Sequence, residues 1–244
     1  MNVSEKGSSQ VSRKGVQPGV TPEELLGPLN QLERKFAPPK LFLSGAMSLP
    51  LPHPKVAVIG TRQPSEEGVK IAHDLASSLA SQGVTVISGL ARGIDTAAHT
   101  AAIEADGKTI AVLGTPLSHA YPKENEDLQK RIMQGFLAIS QFAEGQPTRP
   151  RNFVLRDRTM ALIADASVIV ESGDGGGTLY QGWEALRLGR PLFIHAREFQ
   201  KPALKWPTKM AEYGAIEFKE PSDVIESVPS VSFNRVIVDA LNIA

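Results

Sequence analysis

Four short stretches of this sequence gather residue types that hold anions or move protons. The first is Gly60-Thr61-Arg62, followed by Gln63, Pro64 and Ser65. It comes directly after the apolar run Val56–Ile59. Glycine permits a tight turn, Ser65 can cap a following helix, and a helix start offers unpaired amides to a phosphate. Arg62 adds a planar fork of donors. On spacing alone, an anion contact and a surface ion pair fit Arg62 equally well. The second stretch is Ser88-Gly89-Leu90-Ala91-Arg92-Gly93-Ile94-Asp95, with His99 four residues on. Its glycines let backbone approach a ligand closely. Asp95 can cap amides or meet a ribose or base edge. Asp95 and His99 share a helix face. That pair fits proton transfer, but a capping acid beside a structural histidine is the commoner arrangement. The third stretch, Thr148 to Arg158, holds Arg149, Arg151, Arg156 and Arg158 around Phe153. A ring among cations suits a single nucleic-acid strand, stacking on a base while the arginines hold phosphates. The bland alternative has Phe153 in the core and the arginines in water. The fourth, Glu171-Ser172-Gly173-Asp174-Gly175-Gly176-Gly177-Thr178, has the glycines of an anion cradle.

These stretches act together only if the fold brings them to one place. Short apolar runs at Val56–Ile59, Val84–Ile87, Thr109–Leu113, Phe136–Ile139, Ser167–Val170 and Pro191–Ile194 read as buried strands. Helical patterns lie between them, at Glu66–Ser81, Ile94–Ala105, Asn125–Gln134, Asn152–Ala164 and Thr178–Leu188. This alternation predicts an α/β fold with a doubly wound parallel sheet, Rossmann-like, in three α/β/α layers. Ligands of such sheets sit beyond the carboxyl ends of the strands, where all four stretches fall. The second stretch lacks GxGxxG, so a dinucleotide fingerprint is not supported. Residues 1–22 are polar and read as a disordered tail. Residues 23–55 read as a lead-in segment with a short strand at Lys40–Leu43. Residues 56–196 form the core, and 197–244 an extension with a short strand at Gly214–Phe218 and a helical turn at Ser222–Ser227.

Composition narrows the function classes. The chain has no cysteine, which excludes disulfides, a thiolate zinc site and a thiol nucleophile. Its five histidines are scattered, so no metal is expected, and no cofactor either. Basic and acidic residues balance at 26 each, so any nucleic acid must be held by a local patch. No apolar run is long enough for a membrane span, and the first residues lack a signal-peptide centre. A cytoplasmic protein without membrane partners is expected.

The second stretch, Ser-Gly-Leu-Ala-Arg-Gly-Ile-Asp and then Ala-x-His, resembles the signature of the DprA/Smf family of DNA-processing proteins. Gly60-Thr61-Arg62 is similar to that family's Gly-Ser/Thr-Arg motif. Ala37-Pro38-Pro39-Lys40-Leu41-Phe42 with Gly45 resembles its lead-in strand, and Gly114, Tyr121-Pro122 and Asn125 resemble a further segment. The likeness runs from about Leu32 to about Ile194. Two departures stand out. The family's Phe-x-x-Arg-Asn-Arg is here Phe153-x-x-Arg156-Asp157-Arg158, and Pro150 replaces a family lysine.

The resemblance implies a non-catalytic single-stranded DNA-binding protein of DNA uptake, natural transformation and recombination. It also implies a homodimer and a RecA-type recombinase as partner. The residues it points to for the strand are Gly60, Thr61, Arg62, Ser88, Gly89, Arg92, Gly93, Asp95, Arg151, Phe153, Arg156, Arg158, Gly176, Gly177 and Thr178. Two other readings stay open. The tri-glycine loop is similar to that of the "lonely guy" nucleotide phosphoribohydrolases, for which Glu184 or Asp95 would have to supply the carboxylate. Alternatively, the same cradle senses a nucleotide.

Overall fold

The computed structural model describes residues 19–228. Its strands are β1 (Phe42–Gly45), β2 (Lys55–Ile59), β3 (Thr85–Ser88), β4 (Thr109–Leu113), β5 (Leu137–Ser140), β6 (Ala166–Ile169), β7 (Leu192–His195) and β8 (Ile216–Phe218). All eight join one sheet in the order β1-β5-β4-β3-β2-β6-β7-β8. Only β1 runs antiparallel, pairing Phe42 with Ser140. The helices are α1 (Pro22–Leu26), α2 (Gln31–Phe36), α3 (Glu66–Ser81), α4 (Ile94–Glu104), α5 (Glu126–Gly135), α6 (Pro150–Ile163), α7 (Gly177–Arg187), α8 (Ala196–Phe199), α9 (Trp206–Glu212) and α10 (Pro221–Ile225).

The central strand shows why the layers form. Every residue of β2 is buried, and its side chains alternate between two cores. Val56 and Val58 face a core with Leu75, Leu79 and Ala98, supplied by α3 and α4. Ala57 and Ile59 face the other core, with Met160 and Ile163 of α6 and Met210 of α9. Strand periodicity of two thus demands helices on both faces, as predicted. Each crossover helix has a reason to start and stop. Ser65 caps α3 by accepting from the Gly68 amide at 3.0 Å, and Gly83 after it takes φ +77°.

From β2 the chain steps outward through β3 and β4 to β5, then returns to place β6 on the other side of β2. Neighbouring connections diverge at that reversal. It lies where Gly60 and Ser172 leave their strands, and it fixes the crevice in which parallel sheets bind ligands.

Both ends of the described chain are more integrated than the sequence suggests. Residues 1–18 of the expected tail lie outside the described residues, but residues 19–22 belong to the fold. Val20 pairs with Leu41, and Thr21 caps α1 in a capping box with Glu24. Asn30 and Glu33 form a second capping box on α2. The lead-in segment then puts Leu25, Leu29 and Leu41 into the core. At the other end the sheet continues past residue 196: β8 pairs with β7, and Phe218 and Val224 are buried. The apolar stretch Val231–Ile243 lies outside the described residues.

One buried cation ties the lead-in to the core. The Arg190 guanidinium donates to the carbonyls of Ala161, Leu162 and Ala164 at the end of α6. It also pairs with Glu33 of α2 at 2.6 Å, with both side chains buried. Removing Arg190 takes the counter-charge from the buried Glu33 carboxylate, which keeps its hydrogen bond from the Asn30 amide. Arg190→Ala is therefore expected to lower unfolding stability by about 3 kcal/mol or more. Urea unfolding of the two proteins checks it, and an unchanged midpoint would show the contact contributes nothing.

Candidate functional site

A cleft of about 1480 Å³ opens along the carboxyl edge of the sheet. The loops after β2, β3, β4 and β6 and the start of α6 line it, so the fold does bring the four stretches together. At its heart the loops of the switch point are stitched to each other. The Thr61 amide donates to the Glu171 carbonyl at 2.7 Å, and the Thr178 hydroxyl donates to the Gly60 carbonyl at 3.0 Å. The Glu171 carboxylate accepts from the Ser65 amide and hydroxyl at 3.1 and 2.8 Å. Gly60 must be glycine here, because a Cβ would stand 2.8 Å from the Glu171 carbonyl and 2.5 Å from Ile94.

Phe153 lies on one wall of the cleft. Tyr121 leans on it with ring centroids 5.1 Å apart, and the Arg62 guanidinium lies 5.7 Å from the Phe153 ring. Tyr121 is 47% exposed, so a flat apolar face with a cation beside it looks into open solvent. Arg92, Lys123 and Arg149 also line the cleft. Arg92 is already ion-paired with Glu124. Asn125 holds this region in place: its amide nitrogen donates to the Leu90 carbonyl and the Thr96 hydroxyl, each at 2.9 Å.

The expected arginine cluster divides between inside and outside. Arg156 is 5% exposed and reaches the cleft only from beneath its floor. Its guanidinium donates to the Gly89 carbonyl, to the Val112 carbonyl at 3.1 Å and to Asp157 at 2.7 Å. A Cβ on Gly89 would collide with that guanidinium, so the glycine serves an internal contact. Arg158 points away from the cleft. It pairs with Glu184 at 3.3 Å, bonds the Tyr180 hydroxyl and lies over the Phe36 ring. Arg62, Arg156 and Arg158 thus do not form one rim. Arg151 is exposed and does not line the cleft. Ser88 is buried, donating to the Val58 carbonyl at 2.7 Å. Gly93, at φ +76°, turns the chain into α4. Gly176, Gly177 and Thr178 do line the cleft, as do Gly60, Thr61, Gly89 and Asp95.

The acid–base candidates have structural partners. Asp95 accepts from the amides of Gly89 and Ala91, both at 3.2 Å, and so shapes its own loop. Burial pushes its carboxyl above the usual carboxylate range, and the Arg156 charge opposes that. His99 is fully buried, with Nδ1 2.7 Å from the Thr109 hydroxyl. That hydroxyl donates to the Val86 carbonyl, so Nδ1 carries the proton. Glu184 is held by Arg158 and Arg187 and does not line the cleft.

Sequence reasoning passed over Tyr121, Lys123 and Gln181 as site residues, whereas it did place Arg149 in the cationic stretch around Phe153. Tyr121 and Arg149 carried a visible signal, one in the Tyr-Pro segment and the other beside Pro150. Lys123 and Gln181 carried none.

The state of His99 gives a pH test. Burial, helped by the Arg156 charge, lowers its pKa to about 3. The unfolded chain binds that proton below about pH 6.5, and the folded protein refuses it. Stability therefore falls as pH drops from about 6.5 towards 3. Relative to His99→Gln, the wild type should lose about 2 kcal/mol of stability between pH 7 and pH 5. Paired urea titrations at both pH values measure this, and parallel behaviour of the two proteins would mean that His99 is not held neutral.

Comparison with known proteins gives these loops a family. The model of the DNA recombination-mediator protein A family matches residues 22–229. The DNA processing protein DprA of Bacillus subtilis is 29% identical over 199 residues, covering 81% of this chain and 67% of that protein. The solved structure of DprA from Streptococcus pneumoniae superposes with a TM-score of 0.71 at 30% identity, covering 82% of this chain and 72% of that one. DNA processing protein A from Helicobacter pylori, solved for its single-stranded DNA binding mode, superposes with a TM-score of 0.73 at 24% identity. It covers 86% of this chain and 99% of that one. Against the B. subtilis, S. pneumoniae and Escherichia coli relatives, this chain spans 67%, 55% and 51% of their lengths. The chain belongs to the DNA recombination-mediator protein A family, the DprA/Smf family of DNA-processing proteins.

Proposed function

We propose that this protein binds single-stranded DNA in the cleft at the carboxyl edge of its sheet. The observation that carries this reading is the Tyr121–Phe153 ring pair with Arg62 beside it, open to solvent. Every base has a π face, so such a platform accepts a strand without reading its sequence. Lys123 and Arg149 stand along the same cleft to meet phosphates. Size favours a strand over a lone nucleotide, since small-molecule pockets run at roughly 300–1,000 Å³. The H. pylori relative's description as a single-stranded DNA binder agrees with this reading.

Within this reading the protein acts without chemistry on the strand. Of the acids lining the cleft, Asp95 already caps amides, Asp157 pairs with Arg156 and Glu124 with Arg92, while Glu184 faces elsewhere. The family's name supports a role in recombination mediation. Handover of the strand to a RecA-type recombinase during DNA uptake and natural transformation is part of what we propose. A homodimer is part of the same proposal.

Fluorescence anisotropy with labelled single-stranded oligomers across a salt series tests the interface. Three phosphate contacts, from Arg62, Lys123 and Arg149, predict a log–log salt slope of about −2. Arg62→Ala should reduce that slope by about 1. Tyr121→Ala should cost about 1–3 kcal/mol of binding, whatever the base. Arg158→Ala should leave affinity unchanged. Salt-independent binding, or an Arg62→Ala protein that binds as well as wild type, would end this reading.

A further inference from the structure

Five histidines are spread over the sequence, and four of them serve the fold away from the cleft. His53 lies 2.7 Å from Asp165 at the amino end of β2, and His73 of α3 lies 3.3 Å from Glu104. His99 is fully buried against Thr109. His195 caps α8, accepting from the Arg197 amide at 3.3 Å. His119 differs. It is exposed and lines the cleft on the loop after β4, two residues before Tyr121. Its backbone is held in place: the amide donates to the Pro116 carbonyl at 3.0 Å, and the carbonyl accepts from the Thr115 hydroxyl at 2.6 Å. Its ring is held too, with Nδ1 3.1 Å from the hydroxyl of Thr148, the neighbour of Arg149. This contact ties the loop of Tyr121 to the start of α6, which carries Phe153. A hydroxyl can donate to a neutral imidazole and accept from a charged one. The ring can therefore gain a proton without losing its anchor. Histidine is the side chain whose charge changes between pH 5 and 8.

We propose that His119 is a proton-dependent phosphate contact of the cleft, so that the protein holds a single strand more tightly as pH falls. This rests on the reading of the cleft as a DNA interface and adds a contact to it. Neutral, the ring offers a phosphate a hydrogen bond at most. Charged, it joins Lys123, four residues along the chain, and Arg149, beside its anchor. The other titratable groups around it are Tyr121, Glu124 and Glu126 on the cleft and Glu144 from the loop after β5. Glu144 already accepts from the Ser118 amide and hydroxyl, and Glu124 is paired with Arg92. A phosphate beside the ring stabilises its charged form, so binding the strand is linked to taking up a proton. The bound state then holds more protons than the free one, and affinity rises as pH falls. Asp95 and Asp157 line the same cleft, but any change in their charge is common to wild type and His119→Gln.

The test is anisotropy of labelled oligo-dT across a salt series at about pH 5.5 and about pH 8, either side of the histidine range. Wild type, His119→Gln, His119→Lys and Arg62→Ala are compared, with thermal melts to confirm folding. Wild type should bind about fivefold tighter at the lower pH, the factor expected of opposite unit charges about 4 Å apart in water. Its log–log salt slope should steepen there by about 0.7, the contribution of one more phosphate contact on a single strand. His119→Gln should lose both changes. His119→Lys should bind at the higher pH as wild type binds at the lower. A ring that only anchors the loop would leave His119→Gln weaker at both pH values with the acid gain intact, and that result overturns the proposal. So does a His119→Lys protein that binds no tighter than wild type at the higher pH. If Arg62→Ala weakens binding while wild type and His119→Gln respond alike to pH, the role of His119 is wrong and the DNA interface stands. Should no version bind the oligomer at either pH, both fall.

Discussion

A guanidinium buried under the cleft organises much of what surrounds it. Arg156 cannot leave its donors unmade, because an unpaired charge in that position would cost several kcal/mol. It satisfies them on the carbonyls of Gly89 and Val112, at the carboxyl edges of β3 and β4, and on Asp157. The demand propagates outward. Residue 89 has to be glycine, because a side chain there would occupy the guanidinium's space. Helix α6 must lie with this face towards the strand ends. Phe153, one turn earlier on the same face, then emerges at the cleft wall, where a Cβ on Gly114 would touch its ring at 2.5 Å. The Tyr121–Phe153 ring pair is thus positioned by an arginine buried beneath the cleft.

The second half of the site depends on the switch point. Strands β2 and β6 are neighbours, so their outgoing loops start side by side and diverge. Glu171 closes the gap by holding Ser65 at the start of α3, while Glu198 of α8 accepts from the Ser172 amide at 3.0 Å. Lys201 pairs with Glu198 at 2.6 Å and lies near Glu171. The glycine loop is therefore braced from the segment after β7, which the sequence left as an irregular extension. Bracing of this kind lets a run of three glycines keep one shape in spite of its entropy.

The strand–helix alternation was legible because each buried strand is a short β-branched run and each crossover helix has an apolar stripe. The convergence of the four loops followed from topology alone. What stayed hidden were pairings across long sequence distances. Arg158 and Arg156 are two residues apart in a cationic run, and nothing local says that one stacks on Phe36 and the other bonds strand carbonyls. Burial decides between them, and burial depends on α2, whose Asn30–Glu33 capping box was readable but was passed over. The lead-in was therefore assigned too little structure. Gln181 gave no signal because an orphan donor is visible only when its neighbours are known.

The same division of arginines reconciles zero net charge with the proposed strand-binding cleft. Arg156, Arg158 and Arg190 have partners within the fold: Asp157, Glu184 and Glu33. Their charges are largely cancelled locally and contribute little field at the cleft. Among the described residues lining the cleft, Arg62, Lys123 and Arg149 remain, set on a rim that also carries Glu124 and Glu126. So few free cations cannot grip a strand by phosphate contacts alone, because each contact adds only a modest, screened term. The apolar faces of Tyr121 and Phe153 must supply a comparable share, and stacking is the contribution that salt weakens least. On the proposed reading of this sheet edge, a preference for single strands follows from that balance. A duplex keeps its base faces covered and can offer only its phosphates to the few cations of the cleft.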